Sequence, residues 1–451
     1  MRRLIVFLFL LLSASLHSPL LARNNAKATA NTGFGADIPD ENILHEGQAL
    51  ARTLAQRFSR QISVIEAGST CDGKTDDAPA LNRAADVYAG KARLYVPSGV
   101  TCVVGSTWVL PSNSAVIING TIRLMTGANV FRNADVIDIA QNASNVYIGG
   151  RGVIDGNSAN QTGKNYSGGI GTQNNGPAAS VVVENLTVQN TKNWPVNIVQ
   201  TKGAWLFHLR LLNGGNSVEF AAGTSHCWAD QLLIHKINDQ AFSFYGGVQD
   251  CAITNSHVSG GVDGIDVYSD QWQAGLNNRI LIRGNIVTDN SKFGIAIADD
   301  AAGTHQNISI IGNDVYGNDS KNIAGTADIY ISRSAHVLVA QNKVHESGHG
   351  DNPVSGILLS SNASDTAVVA NVIWNEGQGS KGAGIGIWDD GQPNVLIRAN
   401  RCYDDQAQKT MAFCLHGRAG PATRILDNDW AATIGPSNNL RLREDTIMRD
   451  R

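Results

Sequence analysis

Acidic side chains of the kind that perform acid–base chemistry are concentrated in one part of this sequence. Two carboxyl groups can serve as general acid and general base when their surroundings keep one protonated and the other ionised. We predict catalytic roles for four aspartates and substrate contacts for one aspartate and one glutamate. In that order they are Asp263, Asp266, Asp299 and Asp300, then Asp270 and Glu219.

A repeating strand pattern indicates how these acids are positioned. Eight Gly-flanked segments alternate inward apolar with outward residues, from PVNIV at 195–199 to GIGIW at 384–388. The expected inward residues are Val196, Val218, Phe242, Ile265, Ile295, Ile329, Ile357 and Ile385. The first outward column is Asn197, Glu219, Ser243, Asp266, Ala296, Tyr330, Leu358 and Gly386. The second is Val199, Ala221, Tyr245, Tyr268, Ala298, Ser332, Ser360 and Trp388.

Aromatic residues in these columns suggest a binding strip. Tyr245 and Tyr268 are aligned on adjacent repeats, with Tyr330 and Trp388 farther along. Aromatic faces combine a large apolar area with a polar edge, which suits stacking on a ring-shaped ligand. We predict that these four residues bind substrate.

Five asparagines recur at one phase of the repeat, each inside an apolar run. They are Asn285, Asn313, Asn342, Asn371 and Asn400. Stacked coils would place their amides in an internal ladder, where each amide can donate to and accept from its neighbour. Coils of 22 to 34 residues with short strands and no long helical pattern predict an all-β fold, a parallel β-helix.

The sequence divides into five predicted segments. Residues 1–22 resemble a signal peptide, with Arg2 and Arg3 before an apolar run that is short for a membrane span, and residues 23–40 form a polar arm. A capping helix region at 41–63 is expected to cover the open end of a β-helix at 64–430, and 431–451 form a terminal tail or cap. The protein is therefore expected to be secreted or periplasmic, with no membrane partner after cleavage.

Charge and cysteine content narrow the expected partners. The net charge of −4 provides no basic stripe, so a nucleic-acid partner is not expected. Six cysteines in an exported chain favour disulfides, and their spacing suggests the pairs 71–102, 227–251 and 402–414. The spacing matches no zinc motif, and we predict no metal site from it.

The segment at 64–105 resembles a known superfamily. Asp72-Gly73, Thr75-Asp76-Asp77, the helix through Leu81 and Ala84, and Tyr95-Val96-Pro97-Ser98-Gly99 are similar to the N-terminal part of the pectate lyase and rhamnogalacturonase superfamily. The resemblance implies a secreted right-handed β-helix directed at carbohydrate, with a polysaccharide as its partner. It does not define the reaction.

Two reactions on polysaccharide follow from the resemblance. The stretch from Asp263 to Asp266, Asp-Gly-Ile-Asp, is similar to that of polygalacturonase-type hydrolases, which favours hydrolysis and an acidic polysaccharide as the expected substrate. Their Asp-Asp pair on the next coil is replaced here by Lys292-Phe293, so the sequence departs from that pattern. Uronate lyases and C5-epimerases on this fold use a Lys or Arg base, and Lys292 and Arg333 are the candidates for that role.

The expected cofactor depends on which reaction the protein performs. Hydrolysis requires no cofactor, whereas elimination would bring in calcium, for which Asp263, Asp266, Asp299 and Asp300 offer hard oxygen ligands. A noncatalytic glycan binder is the third alternative, because acids and aromatics can also serve recognition alone.

Overall fold

Short parallel strands build the whole body of the protein. The computed structural model describes residues 37–128, 135–162, 167–172, 176–298, 303–379, 382–431, 433–434 and 438–449. Its strands form three sheets of 15, 14 and 13 strands, in which each strand pairs in parallel with its equivalents one coil before and one coil after. This is the predicted parallel β-helix.

The three faces of the solenoid are named sheets A, B and C, and the described strands are numbered along the chain. Sheet A contains β1 (Gln61–Ser63), β3 (Arg93–Val96), β6 (Ala115–Ile118), β9 (Ser144–Gly150), β12 (Ala178–Glu184), β15 (Thr201–Phe207), β18 (Ser225–Asp230), β21 (Gln249–Thr254), β24 (Asn278–Arg283), β27 (His305–Ile311), β30 (Ser334–Ala340), β33 (Ala363–Val369), β36 (Leu396–Arg398), β39 (Arg424–Leu426) and β42 (Ile447–Arg449). Sheet B contains β2 (Asp72–Asp76), β4 (Thr101–Val104), β7 (Thr121–Leu124), β10 (Val153–Asp155), β13 (Thr187–Gln189), β16 (Arg210–Gly214), β19 (Leu233–Ile237), β22 (His257–Ser259), β25 (Ile286–Thr288), β28 (Asp314–Tyr316), β31 (Lys343–His345), β34 (Val372–Trp374), β37 (Arg401–Tyr403) and β40 (Asp429–Trp430). Sheet C contains β5 (Trp108–Leu110), β8 (Asp135–Ile139), β11 (Gly168–Gly171), β14 (Val196–Val199), β17 (Val218–Ala221), β20 (Phe242–Tyr245), β23 (Ile265–Tyr268), β26 (Ile295–Ile297), β29 (Thr326–Ile331), β32 (Val354–Leu359), β35 (Gly384–Asp390), β38 (Met411–Arg418) and β41 (Asn438–Arg441).

The interior of the solenoid is a continuous apolar core. All eight residues predicted to point inward from sheet C are buried, and Phe220, Phe242 and Phe244 pack against one another in this core. The predicted alignment of the last of these strands is wrong, because Ile387 and not Ile385 pairs with Ile357. The strand β35 therefore lies two residues out of the predicted register.

The asparagine ladder is confirmed at all five predicted positions. Each side-chain amide donates to the side-chain oxygen of the asparagine one coil later, as Asn342 Nδ2 does to Asn371 Oδ1 at 2.9 Å. Each amide also donates to a backbone carbonyl of the preceding coil, and the backbone N–H of the same asparagine donates to the same side-chain oxygen of the next one, as Asn342 N–H does to Asn371 Oδ1. Asn428 extends the ladder by one coil. The buried amides are thus fully bonded, which makes their burial favourable.

A second internal ladder escaped the sequence analysis. Asn290 donates to Asn318 Oδ1 at 2.8 Å, and the Asn318 backbone N–H donates to the Ser347 hydroxyl. The amide of Asn318 and the hydroxyl of Ser347 both donate to one buried oxygen of Asp328. The mixed residue types explain why no simple repeat of one amino acid revealed this ladder.

Two helices cover different surfaces of the solenoid. Helix α1 (Asn42–Gln56) forms where predicted, but it does not cover the open end. It lies on the outer face of sheet A, against Trp205 and Trp228, and the indole of Trp205 donates to the Ile43 carbonyl at 2.8 Å. Helix α2 (Ala78–Tyr88) packs against β3 and β5 and adds Leu81 to the main core, so α2 is the terminal cap.

The ends of the solenoid lie beyond the predicted limits of 64 and 430. Strand β1 already belongs to sheet A, and β41 and β42 extend sheets C and A to Arg449. The predicted signal peptide lies outside the described residues, as does most of the polar arm.

The disulfide pairing is confirmed. All three predicted bonds are present, joining Cys71 to Cys102, Cys227 to Cys251, and Cys402 to Cys414. Three disulfides are typical of proteins from oxidising compartments. Within the described ranges, no helix has the length and apolar character required for a membrane span.

Replacing one rung of the ladder should destabilise the solenoid strongly. Asn342→Ala leaves the amide and backbone N–H of Asn313 without their acceptor, and it removes the bond to the Ile310 carbonyl. We expect the free energy of unfolding to fall by about 2 to 3 kcal/mol, measured by chemical denaturation. Asn439→Ala, at an exposed position, is the control and should change it by less than about 0.5 kcal/mol. Equal effects of the two substitutions would contradict a stabilising ladder.

Candidate functional site

The predicted outward column on sheet C exists in space. Glu219, Ser243, Asp266, Ala296 and Tyr330 are direct register partners on five successive strands. Neighbouring strands in a sheet lie about 4.8 Å apart, so the backbones of Glu219 and Asp266, two coils apart, are separated by about 9 to 10 Å. Side chains reaching toward each other from these positions can contact opposite sides of one sugar-sized ligand.

Four carboxyl groups gather around this column. Glu219 and Asp266 come from the strands, while Asp239 and Asp263 come from the turns that lead into β20 and β23. The backbone joins the two turns, because the Val262 N–H donates to the Asp239 carbonyl at 2.8 Å. The side chains of Glu219, Asp263 and Asp266 are almost entirely buried, with exposed fractions of 4, 6 and 4%.

Burial raises the pKa values of all four carboxyls. It raises the pKa of Glu219 to about 8. A hydrogen bond from the Trp194 side chain opposes this rise, and the charge of neighbouring Asp239 adds to it. Burial and the nearby charge of Asp263 hold the pKa of Asp266 well above its ordinary value. Burial also raises the pKa of Asp239. The cluster therefore keeps carboxylic protons at pH values where free carboxyls have lost theirs.

Lys292 distinguishes the members of this cluster. Burial raises the pKa of Asp263, but the Lys292 charge opposes this rise more than any other contact does, and the Phe293 backbone N–H donates to Asp263 Oδ1 at 3.2 Å. Asp266 has a buried Oδ1 with no hydrogen-bond partner. Asp263 is thus the better anion and Asp266 the better proton donor, which is the division of roles that acid–base catalysis requires.

An aromatic wall continues the site past Lys292. The Lys292 ammonium lies 4.3 Å from the centre of the Phe293 ring, and Phe293 stacks on Tyr330 with centroids 4.5 Å apart. Tyr330 was predicted to bind substrate. Because one of its faces is covered by Phe293, only its other face and its edge are accessible to a ligand.

Two further acids lie upstream on sheet C. Asp135 and Asp138 are buried on β8, and burial together with the charges of Asp138 and Glu219 holds the pKa of Asp135 well above its usual range. The glycines of β11 make room for this side chain, since a Cβ at Gly168 would lie 1.9 Å from Asp135 Oδ1. The series of buried acids on sheet C therefore extends from β8 to β23.

The paired tyrosines are present, and Asp270 is bonded to one of them and to its own loop. Tyr245 and Tyr268 are register partners with rings stacked 4.5 Å apart. The Tyr245 hydroxyl donates to Asp270 Oδ1 at 2.7 Å, and the same oxygen accepts the backbone N–H groups of Trp272 and Gln273. Asp270 Oδ1 therefore holds a loop in place, and the predicted contact of Asp270 with substrate stays a prediction.

Other predicted residues lie apart from the cluster or outside the described residues. Lys292 precedes β26 whereas Arg333 follows β29, so these two cations occupy opposite edges of sheet C. Trp388 pairs with Leu358, which places it in the column of Asp266 and Tyr330 and not in that of Tyr268. Asp299 and Asp300 lie outside the described residues.

Four residues of this site were not predicted from the sequence. Asp239 lies in a turn, Trp194 precedes β14, and Asp135 and Asp138 are on β8, upstream of the first aligned segment. A signal for the last two was present in the strand DVIDI, where two aspartates interrupt an otherwise apolar run. The strand alternation gave no information about turn residues that fold back over a neighbouring coil.

Metal-binding geometry is scarce in the part of the chain that the structure describes. One group of three potential ligands is close enough to hold an ion, namely Cys71, Asp77 and Cys102. Its two sulfurs are joined in a disulfide, and the Asp77 carboxylate accepts backbone N–H groups. This group is structural.

Comparison with known proteins identifies the fold. The family described as "Right handed beta helix region" matches residues 218–402. No curated protein sequence matches the chain. A mannuronan C-5 epimerase A-module from Azotobacter vinelandii is similar in structure, with 19% identity, a TM-score of 0.65, and coverage of 85% of this chain and 98% of that chain.

Two other solved structures show the same architecture. One is the exopolygalacturonase of Thermotoga maritima, with 14% identity, a TM-score of 0.53, and coverage of 84% of this chain and 96% of that one. The other is the tailspike protein of the E. coli bacteriophage HK620 in complex with a pentasaccharide, with 15% identity, a TM-score of 0.64, and coverage of 86% and 80%. These similarities establish a right-handed parallel β-helix.

Neutralising Glu219 should stabilise the protein above mild acid. Because its pKa is about 8 when folded and about 4.5 in an unfolded chain, the folded state holds a proton that the unfolded state releases between these values. Stability should therefore fall by about 1.4 kcal/mol per pH unit across that window through this one group. Glu219→Gln removes the effect and should gain stability over the wild type from pH 5 to pH 8.

The measurement is the unfolding free energy of both proteins at successive pH values. Glu444→Gln, at an exposed position, is the control and should leave the mutant and wild-type curves parallel. A Glu219→Gln curve parallel to that of the wild type would show that the carboxyl is solvated and ionised.

Proposed function

We propose that this right-handed parallel β-helix protein is a polysaccharide-degrading enzyme that hydrolyses glycosidic bonds at the carboxyl cluster of sheet C. The observation that carries the proposal is the set of buried carboxyls, in which burial raises every pKa while Lys292 opposes this rise at Asp263 more than any other contact does. Structural neighbours that act on or bind polysaccharides support a carbohydrate ligand.

The proposed roles follow from the surroundings of each carboxyl. Asp266 donates its proton to the glycosidic oxygen as the bond to the anomeric carbon breaks. Asp263, ionised beside Lys292, removes a proton from the attacking water, so that the pair returns to its starting state after one proton transfer through solvent. Glu219 hydrogen-bonds the bound sugar from two coils away.

The residues of the carboxyl cluster offer contacts to both acidic and neutral polysaccharides. An acidic polysaccharide would meet Lys292 as its counter-charge at this site, whereas a neutral one would meet protonated carboxyls that can hydrogen-bond hydroxyls. Both classes therefore belong in the assay. Secretion through the predicted signal peptide would bring the protein to such polymers.

Lyase or C5-epimerase chemistry is the second candidate, favoured by the position of Lys292 beside Asp263 and Asp266. Lys292 would abstract the proton from C5 of a uronate unit. Asp263 and Asp266 offer hard oxygens for calcium, which would neutralise the uronate carboxylate, and Asp266 has an oxygen without a hydrogen-bond partner. Arg333, at the opposite edge of the sheet, is a poor partner for Lys292 in this reaction.

A panel of polysaccharides separates these candidates. Neutral and uronate-containing polymers are incubated with the protein, with and without calcium, while reducing ends, ultraviolet absorbance and deuterium uptake from heavy water are followed together. Reducing ends alone support hydrolysis, a joint rise in absorbance supports elimination, and deuterium uptake without cleavage supports epimerisation. Retention of a polymer without any chemical change supports a noncatalytic glycan binder.

Removal of the proposed general acid should abolish turnover but preserve binding. For Asp266→Asn we expect kcat to fall by about 10² to 10⁴, the usual contribution of a positioned acid or base. Polysaccharide binding should persist because the asparagine keeps the shape of the side chain. Asp86→Asn, on the exposed side of α2, is the matched control and should leave kcat unchanged. Full activity of Asp266→Asn would eliminate Asp266 as the acid.

Removal of Lys292 should change the pH dependence of hydrolysis. Its charge lowers the pKa values of Asp263 and Asp266, so Lys292→Ala should raise both. Both limbs of the kcat profile should then move to higher pH, while activity persists at the new optimum. Lys343→Ala, exposed on sheet B, should not shift the profile. Loss of activity at every pH would instead identify Lys292 as the base of an elimination or epimerisation.

A further inference from the structure

We infer that Trp272 is a sugar-stacking residue that holds one pyranose ring of the polysaccharide at the carboxyl-terminal edge of sheet C. The inference rests on the proposed function, because it assigns a binding position to the same substrate. The sequence analysis did not single out this residue, which lies in the loop between β23 and β24.

The exposure of Trp272 sets it apart from the other tryptophans. The protein has eight tryptophans, and seven of them are buried or half-buried. Trp272 is 78% exposed, more than any other large apolar side chain in the described ranges. Tryptophan is highly buried on average, so an indole exposed to this degree presents an aromatic face that a ligand can cover.

Hydrogen bonds hold the loop that carries Trp272 in a fixed conformation. Asp270 Oδ1 accepts the backbone N–H of Trp272 at 2.7 Å and that of Gln273 at 3.0 Å, and the Asp270 N–H donates to the Gln273 carbonyl. Glycine contacts hold the loop against the preceding coil, where a Cβ added to Gly275 would lie 2.9 Å from the Gly247 Cα. The indole is therefore displayed by an ordered turn.

The same carboxylate links the loop to the predicted aromatic strip. Asp270 Oδ1 also accepts the hydroxyl of Tyr245, whose ring stacks on Tyr268. Tyr268 is two residues after Asp266 on the same face of β23, about 6 to 7 Å farther along the strand. Trp272 thus lies on the coil of the proposed general acid, one turn beyond the strand end.

The surroundings favour a single sugar ring as the occupant. A stable protein partner needs an interface of about 1,000 Å² or more, whereas the exposed large apolar side chains of this loop are Trp272 and Leu276, which is 38% exposed. The flat apolar face of a pyranose matches one indole face, and this contact does not depend on whether the sugar is charged. Asp270 acts as a positioning residue for this contact.

Affinity electrophoresis tests the inference directly. Native gels contain polygalacturonate, alginate or a neutral galactomannan, and the Asp266→Asn protein serves as the parent so that no polymer is consumed. In the gel that retards the parent, we expect Trp272→Ala in the same background to weaken binding by 5-fold to 30-fold. Trp272→Phe should keep most of the retardation because it keeps an aromatic face. Val87→Ala, an exposed apolar control on α2, should bind as the parent does.

Kinetics of the otherwise unmodified protein give a second readout. Trp272→Ala should raise KM by a similar factor with kcat nearly unchanged, because the indole contacts the polymer away from the reacting bond. Asp270→Ala should reproduce this change through loss of loop order, and a structural defect would instead lower kcat and thermal stability together.

Each outcome has a defined meaning. Retardation that Trp272→Ala leaves intact overturns the inference while the proposed function stands. A parent that is retarded in none of the gels, with no activity on the panel, overturns both, because no glycan then reaches the site.

Discussion

Coil-to-coil registration is the constraint on which the rest of this structure depends. Parallel backbone pairing places equivalent residues of successive coils about 4.8 Å apart, and the ladder from Asn285 to Asn428 ties the coils at one corner. Asn amides can continue this chain without end, because each one both donates and accepts. A regular column in sequence therefore becomes a straight column in space, and the positions of Glu219 and Asp266 follow from that regularity.

The scaffold can tolerate the destabilisation that the buried carboxyl cluster causes. Buried carboxyls destabilise the folded state at neutral pH, but a solenoid distributes its stability over many nearest-neighbour contacts between coils. The burial of Glu219 and Asp266 destabilises only a few central coils. Two of these coils are joined by the disulfide between Cys227 and Cys251, on adjacent strands of sheet A. The scaffold thus keeps the acids at fixed spacing in surroundings that raise their pKa values.

The fold was predictable from the sequence because its signals are periodic and local. The asparagine phase and the strand alternation repeat once per coil, the three disulfide pairs close over about one coil or less, and the structure confirms them. The placement of α1 was not predictable, since an amphipathic helix fits either a solenoid end or the outer face of sheet A. The register of β35 failed for a related reason, because GIGIW aligns with its neighbour equally well after a shift of two residues.

Strand alternation made the site predictable only where it lies on strands. Alternation identified Glu219, Asp266 and Tyr268, but it could not show that turn residues such as Asp239 and Asp263 converge on them. Nor could alternation show which hydrogen bonds an outward acid makes. Asp270, for example, accepts hydrogen bonds from the backbone of its own loop. The same limit applies to Lys292 and Arg333. Both could be placed next to a strand from the sequence, yet they lie at opposite edges of sheet C. A reaction that uses both cations on one sugar unit would require them to act across the width of the sheet. The four carboxyls, in contrast, lie around one column of the sheet.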